Sequence, residues 1–344
     1  MENTLVSAII TTYGRPFLLV KRAIDSVLHQ TYPHIELILV DDNGKNSSLH
    51  AKLLHQVTAT FGDHVKYLSN MHNQGGQFSQ NRGFLESQGE FVAFLDDDDV
   101  WLPNKIATQL QFFTNQDIGL VSCWGWKVIS QNNEPPKVET YNYHLGSDTT
   151  EVSFDDLMFI NYIGGTSRPL IRRKVFAKSG LFRDGLPAFQ DYELWLRISR
   201  QCWCIIVPHF LVAHYWHDGH QISKDHYKWF CGQRYIYRQY GHETTLTCKW
   251  YQIHRLRYEA RQARLGLRTD IRYYLWDRLS LIRAYLFDTA ELRRRLRLKK
   301  YGRRGEPMKI CFWVTSVIKL GGVQQVTRAI AEAKNWLKST MWWL

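Results

Sequence analysis

The segment Phe91-Val92-Ala93-Phe94-Leu95 runs directly into four carboxylates, Asp96-Asp97-Asp98-Asp99. No other stretch restricts the fold as strongly. Five consecutive apolar residues read as a strand buried on both faces, inside a sheet covered by helices. Such a strand cannot end in clustered acids without compensation, because like charges repel and each carboxylate resists leaving water. The acids must therefore emerge at a sheet edge that meets solvent or a ligand. Two readings stand at this point. One is a solvated acidic turn before a helix starting near Pro103. The other is a site for a hard divalent cation, since Mg²⁺ or Mn²⁺ takes carboxylate oxygens together with substrate phosphates.

The preceding residues alternate strand and helix signals. Leu5–Ile10, Ile35–Val40 and Val65–Leu68 read as strands. Helical spacing predicts helices over Phe17–Gln30, Ser48–Thr60 and Phe78–Ser87. This order predicts an α/β fold with a mostly parallel, Rossmann-like sheet and helices on both faces. Ligands of such sheets bind beyond the carboxyl ends of the strands. Thr11-Thr12, Asp41-Asp42 and the acid run should therefore open onto one crevice.

From residue 118 to 215 the pattern is less regular. Gly164-Gly165-Thr166 reads as a loop, Pro169-Leu170-Ile171 as a short strand, and Phe189-Gln190-Asp191 as the opening of a helix. Ile205-Ile206-Val207 and Leu211-Val212-Ala213 read as two strands, and residues 220–300 as helical.

A length of 344 residues with 44% hydrophobic and 14% aromatic content bounds the chain as one large or two modest globular domains. No apolar run reaches 18 residues, and Met1-Glu2-Asn3-Thr4 does not open a secretory signal. The six cysteines form no Cys-x-x-Cys pair, so structural zinc and a disulfide framework are not supported. These points lead to the expectation of a cytoplasmic protein, with the inner face of the cell membrane as a place of peripheral attachment.

The net charge is +12, and arginine is concentrated between residues 255 and 304, including Arg293-Arg294-Arg295. Such a block can face nucleic acid, an anionic membrane or an acidic substrate, or be a solvated helix face. Here the arginines are interleaved with Leu, Tyr and Trp at helical spacing. That pattern suits an anionic lipid surface as well as it suits nucleic acid, so nucleic acid is the weaker expectation.

Four pieces occur in order: Thr11-Thr12-Tyr13, Val40-Asp41-Asp42-Asn43, Gly89 through Pro103 with its acid run, and Gln190-Asp191-Tyr192-Glu193-Leu194-Trp195-Leu196-Arg197. Together, over roughly residues 4–225, they resemble the nucleotide-sugar-dependent glycosyltransferases of family 2, with the GT-A fold. The resemblance implies an inverting, metal-dependent transfer from a nucleotide sugar, a UDP-sugar favoured, to a saccharide or lipid-linked acceptor, in bacterial surface-polysaccharide synthesis. A nucleotide-sugar or glycan binding module of the same fold is the alternative, and a nucleic-acid-binding protein the second.

The resemblance also assigns roles. Thr11, Tyr13 and Gly165 would contact the donor. Asp42 would accept a hydrogen bond from the base, although Asp42-Asn43-Gly44 also reads as a simple turn. Asp96 and Asp97 would bind the donor, Asp97 near the ribose. Asp98 would ligate Mn²⁺ or Mg²⁺ at the diphosphate, with His217 in the metal shell or on phosphate, and His214 and His220 as neighbours competing for that role. Asp191 would be the general base, or only the cap of its helix. The family's Ala-Arg-Asn-x-Gly run is here Ser79-Gln80-Asn81-Arg82-Gly83. Arg82, the donor-binding candidate of that run, therefore stands two positions later, on another side of the helix.

The expected organisation is a GT-A domain over 1–225, a basic helical extension over 226–304, and a linker and fragment over 305–344. Lys309–Val314 and Gly321-Gly322-Val323 resemble the opening strand and glycine turn of a family 4 GT-B domain, cut short.

Overall fold

The computed structural model describes residues 3–129, 137–141, 150–216, 225–288 and 290–291. His217, Arg293–Arg295 and the family 4-like segment lie outside the described residues.

The first half follows the expected alternation closely. Strands β1 (Val6–Thr12), β2 (Ile35–Asp41), β3 (Lys66–Ser69) and β4 (Phe91–Asp96) are linked by helices α1 (Phe17–Leu28), α2 (Ser48–Phe61) and α3 (Gly76–Leu85). Helix α3 begins two residues before the apolar pattern does, behind Gly75, whose φ of +89° suits glycine. Beyond the acids come β5 (Val100–Trp101), α4 (Lys105–Leu110), β6 (Ile118–Ile129), β7 (Lys137–Tyr141) and β8 (Thr150–Val152). The chain continues through α5 (Phe154–Phe159), β9 (Leu170–Arg172), α6 (Phe176–Ser179), α7 (Gln190–Ile198) and β10 (Trp203–Trp216). Three helices follow: α8 (His226–Tyr240), α9 (Leu246–Gln262) and α10 (Leu267–Phe287).

Among the described residues the strands form one sheet in the order β3-β2-β1-β4-β9-β6-β10-β5, with β7 on β6 and β8 on β10. Strands β3, β2, β1 and β4 are mutually parallel, while β9 runs antiparallel to β4 and β6. Alternation along the strands feeds two cores, one on each face. On β4, Phe91, Ala93 and Leu95 pack with Val20 and Ile24 of α1 and Leu53 of α2. Val92 and Phe94 face the other way, toward Tyr192 and Trp195 of α7.

Two features of the second half escape the sequence pattern. Strand β6 contains Gly119 and Gly125, which mark close approaches. A Cβ on Gly119 would lie 2.3 Å from Cys202 Sγ, and one on Gly125 would lie 2.9 Å from the His214 ring. The two strands expected at 205–207 and 211–213 are one strand, β10. Its register against β6 shifts between Val207 and Val212, around Pro208, which has no N–H for the ladder.

The helices after residue 225 share the second core. Ile236, Tyr240 and Cys248 belong to it, Tyr251 stacks on Phe159, and Gln252 donates to the Met158 carbonyl. The expected boundary at 225 thus falls at the start of a helix whose apolar side continues the same core.

Lys105 is fully buried in α4, with Nζ 4.2 Å from the Trp101 ring centroid and 2.7 Å from Gln109 Oε1. Burial pushes its ammonium down from 10.5 to about 8. Below pH 8 the folded protein carries the whole cost of that buried charge, about 3 kcal/mol. Between about pH 8 and 10.5 the unfolded chain keeps a proton that the folded one has lost, so stability rises with pH. Lys105→Met should therefore stabilise the protein at pH 7 by about 1–2 kcal/mol, after about 1–2 kcal/mol is lost at the unpaired Gln109 oxygen. Chemical denaturation at pH 7 and pH 9.5 checks this; an equal gain at both pH values would contradict it.

Candidate active site at the carboxyl edge of the sheet

Register places three of the expected pieces side by side. Thr11 pairs with Val40 and with Asp96, and Thr12 with Asp41, so β1, β2 and β4 all end at one edge. Tyr13 follows as an exposed ring.

Asp42 is nearly buried. Its Oδ1 accepts from Asn70 Nδ2 at 2.6 Å and from the Gln74 N–H at 2.8 Å, and its Oδ2 accepts from the Gly75 N–H at 2.8 Å. A carboxylate offers about four lone-pair sites, so these bonds tie down the 70–75 loop and leave one direction for a ligand. Arg82 sits beneath this arrangement. Its Nη1 donates to the Ser69 carbonyl and to Asn70 Oδ1, each at 2.6 Å. Its described contacts support the loop that holds Asp42.

The acid run is a turn between β4 and β5, closed by the Asp99 N–H donating to the Asp96 carbonyl at 3.1 Å. The four carboxylates have different partners. Asp99 is buried, with Oδ2 2.7 Å from His214 Nδ1 and accepting from Ser167 Oγ at 2.6 Å. Arg168 Nε donates to His214 Nε2 at 3.0 Å. Arginine can only donate, so Nε2 accepts and Nδ1 carries the proton toward Asp99. Burial opposes ionisation of Asp99, but His214 beside it and hydrogen bonds from His214, Ser167 and the Tyr215 N–H hold it below the usual carboxylate range. Asp99 therefore anchors the turn.

Asp96 differs. It accepts from Thr166 Oγ1 at 2.9 Å, yet burial and the adjoining Asp99 and Asp98 push its carboxyl well above the usual range. Burial likewise pushes Asp97 up to about 6, against the pull of Arg15. Arg15 is the residue the sequence reading missed. Its Nε meets Asp97 Oδ1 at 3.0 Å and its Nη2 meets Asp98 Oδ2 at 2.7 Å. The signal was available: Gly14-Arg15 follows the first strand end, at the edge where ligands collect. Arg22 of α1 adds a second cation, donating to the Asp98 carbonyl at 2.8 Å with its guanidinium 3.6 Å from the Tyr215 ring centroid.

The donor set fits a hard divalent cation in chemistry. Burial raises both Asp96 and Asp97, and at Asp96 the neighbouring carboxylates add to it, even with Arg15 and Arg22 at the turn. The described residues contain no ready-made cage of three or more His, Cys, Asp or Glu ligands. One or two carboxylates completed by substrate phosphate is the usual arrangement for Mg²⁺.

Asp191 stands in the first turn of α7 and is not its cap. Phe189 holds the cap position with φ +64° and ψ +30°, left-handed values uncommon outside glycine. Asp191 Oδ1 accepts the Tyr192 N–H at 2.7 Å, and burial pushes its carboxyl up to about 6. Phe189 is packed by Trp229 of α8 at 4.8 Å between ring centroids, and the Arg255 guanidinium lies 5.6 Å from its own. Strained backbone of this kind persists where packing over-determines it, and it clusters at functional sites.

The loop at 164–167 joins the two halves. Thr166 and Ser167 bond to Asp96 and Asp99, and the Gly164 carbonyl accepts from Trp195 Nε1 of α7 at 2.9 Å. Gly165 lies between, with open space where a Cβ would stand.

A mixed sheet whose parallel half ends at its carboxyl edge in an acid turn, flanked by a helix that opens on a carboxylate, is the layout of the GT-A fold. Residues 7–180 match glycosyl transferase family 2, and the chain belongs to that family. Among its relatives, the putative colanic acid biosynthesis glycosyl transferase WcaA of Escherichia coli is 29% identical over 286 residues, covering 78% of this chain and 92% of that one. An uncharacterized glycosyltransferase of Rickettsia conorii is 30% identical over 211 residues, covering 58% of this chain and 32% of that one. Against the Rickettsia relatives the matched length is about a quarter to three fifths of their chains. The structure of S. aureus TarS 1-349 in complex with UDP-GlcNAc is similar in fold, with a TM-score of 0.54 at 14% identity, covering 76% of this chain and 74% of that one.

Proposed function

We propose that the chain transfers a sugar from a nucleoside diphosphate sugar to a hydroxyl of a saccharide or lipid-linked acceptor, with inversion at the anomeric carbon. The observation that carries this is the 164–167 loop, which bonds both to the acid turn and to Trp195 of the helix that carries Asp191. The acceptor oxygen attacks the anomeric carbon, the bond from that carbon to the diphosphate oxygen breaks on the opposite face, and the acceptor proton passes to the Asp191 carboxylate. A carboxyl near 6 is ionised at neutral pH yet basic enough to take that proton. Thr11, Tyr13 and Asp42 line the side where the nucleoside would lie, and a UDP-sugar is the favoured donor. Gly165 leaves room for the donor between the two halves. Asp97 would lie near the ribose, and Asp98, with Asp96 beside it, would hold Mn²⁺ or Mg²⁺. Such a cation neutralises charge on the leaving diphosphate. The relative in Escherichia coli named for colanic acid biosynthesis supports a setting in bacterial surface polysaccharide.

The test is release of nucleoside diphosphate from a panel of nucleotide sugars, with Mn²⁺ present and with and without saccharide acceptors. Release on one donor supports the reading. Tight donor binding without release on any acceptor would make the chain a binding module, a reading favoured by the ion pairs that Arg15 makes with Asp97 and Asp98.

A further prediction concerns the support of Asp191. A Cβ on Gly232 of α8 would stand 2.7 Å from the Ala188 carbonyl oxygen and 2.9 Å from Phe189 Cδ2. Backbone cannot yield there cheaply, so Gly232→Ala should displace the segment that carries Asp191. Misplacement by about 1 Å costs on the order of 10²-fold in rate. Acceptor turnover should therefore fall by tenfold or more while donor affinity stays near the parent's. Parent-like turnover in that variant would separate α8 from the site.

A further inference from the structure

Helix α10 reverses the usual arrangement of a surface helix. Its acids point inward. Asp277 is buried, 3.0 Å from Arg257 Nη1 and 3.4 Å from His254 Nδ1, and Asp270 lies 3.4 Å from Arg261 Nε. Tyr273 and Ala284 share that inner side. Three leucines point outward, Leu275 at 56% exposed, Leu279 at 61% and Leu286 at 62%, while Leu281 packs inward with Trp250 and Ala284. At about 100° per residue these three fall within about 40° of one another, opposite Asp277 and Ala284. Exposed Arg268, Arg272, Arg278 and Arg283 stand along and beside the leucine line. The charge this face presents is therefore positive, with both acids of the helix spent on α9.

A line of leucines turned to water gains nothing in the isolated chain, since each would be worth about 1.5–3 kcal/mol if buried. We propose that this face of α10 docks on an anionic phospholipid surface, lying along it with the leucines among the acyl chains and the arginines on lipid phosphates. Charge decides the occupant. A two-fold contact between copies through this face would set arginine against arginine, because an isologous interface repeats the same patch. Nucleic acid would match the arginines and leave the leucines in water. An interfacial helix is built from an apolar face with basic flanks. About 21 residues at 1.5 Å give roughly 32 Å of contact, and no described helix is long and apolar enough to cross a membrane. The proposal is independent of the sugar-transfer reading, because it uses no residue of the crevice.

The test is co-sedimentation of the full chain with vesicles of phosphatidylcholine alone and with about 30% phosphatidylglycerol. Binding is expected on the anionic vesicles only, weakening as salt rises. The double variant Leu275→Ser, Leu279→Ser should bind more than tenfold more weakly. Arg272→Gln should lose about fivefold, the effect of one basic residue near such a surface. Both changes lie on exposed positions, so an unaltered unfolding midpoint should accompany them. Equal binding to neutral vesicles, no binding to either, or parent-like binding by the leucine variant would overturn the proposal. So would a dimer in solution that the leucine variant converts to monomer.

Discussion

Replacing Asp191 by Asn is expected to lower acceptor turnover by about 10²-fold or more, because an amide cannot take the acceptor proton. The fold should survive. Asn keeps an oxygen that can accept the Tyr192 N–H, and Phe189, not Asp191, occupies the cap position. The direction of the stability change is informative. Burial raises the Asp191 carboxyl from 3.8 to about 6 in the folded protein. Between those values the folded state holds a proton that the unfolded chain has lost, so the charge is a burden on stability above about pH 6. Asp191→Asn removes that burden, and its unfolding midpoint at pH 7.5 should equal or exceed the parent's. In the parent, turnover should rise with pH through about 6 as the base ionises, and this limb should vanish in the variant. Donor affinity should change little, since the base meets the acceptor. A structural role predicts the opposite pair: a lowered midpoint with near-parent turnover per folded molecule. If the variant transfers sugar at the parent rate, the proton acceptor lies elsewhere.

The first hundred residues were legible because short-range physics decides them. Alternating apolar runs and helical spacing gave β1 to β4 with boundaries within about two residues, and the parallel order then put Thr11, Asp41-Asp42 and Asp96 on one edge. Beyond residue 118 long-range contacts decide. Gly119 and Gly125 have their reason only in Cys202 and His214, which press against them. Pro208 looks like the end of a strand, yet β6 carries β10 past it. The site shows the same divide. The acid turn and Asp191 were visible as motifs, but their distinct characters were not. Asp99 is an anchor because His214, 115 residues later, reaches it. Arg15 carried only a positional signal, its place just past the first strand end, and only the fold brings it to Asp97 and Asp98. The left-handed Phe189 could not be read either, since its strain is sustained by α8 and α9, far along the chain.

Removal of divalent cations should abolish turnover, and Asp98→Ala should lower it by about 10²–10³-fold, the usual effect of losing one stabiliser of developing charge. Chelation followed by Mn²⁺ or Mg²⁺ should restore the parent but not the variant. Arg15 makes this a sharp test. Its guanidinium already lies on Asp97 and Asp98, and Arg22 donates to the Asp98 carbonyl, so two positive charges stand at the turn without any metal. Yet Asp96 is still pushed well above the usual carboxylate range by burial and by Asp99 and Asp98. The two arginines therefore leave Asp96 uncompensated, and a divalent cation has a physical reason to bind there. The same reasoning fixes the folding outcome. Taking away Asp98 relieves Asp96 of a like-charged neighbour and leaves the anchor of the turn, Asp99 with His214 and Ser167, untouched. The variant should remain folded, with an unfolding midpoint close to the parent's. Full turnover in excess chelator would mean that Arg15 balances the leaving diphosphate unaided. In that case Arg15→Ala, and not Asp98→Ala, would be the change that silences the enzyme.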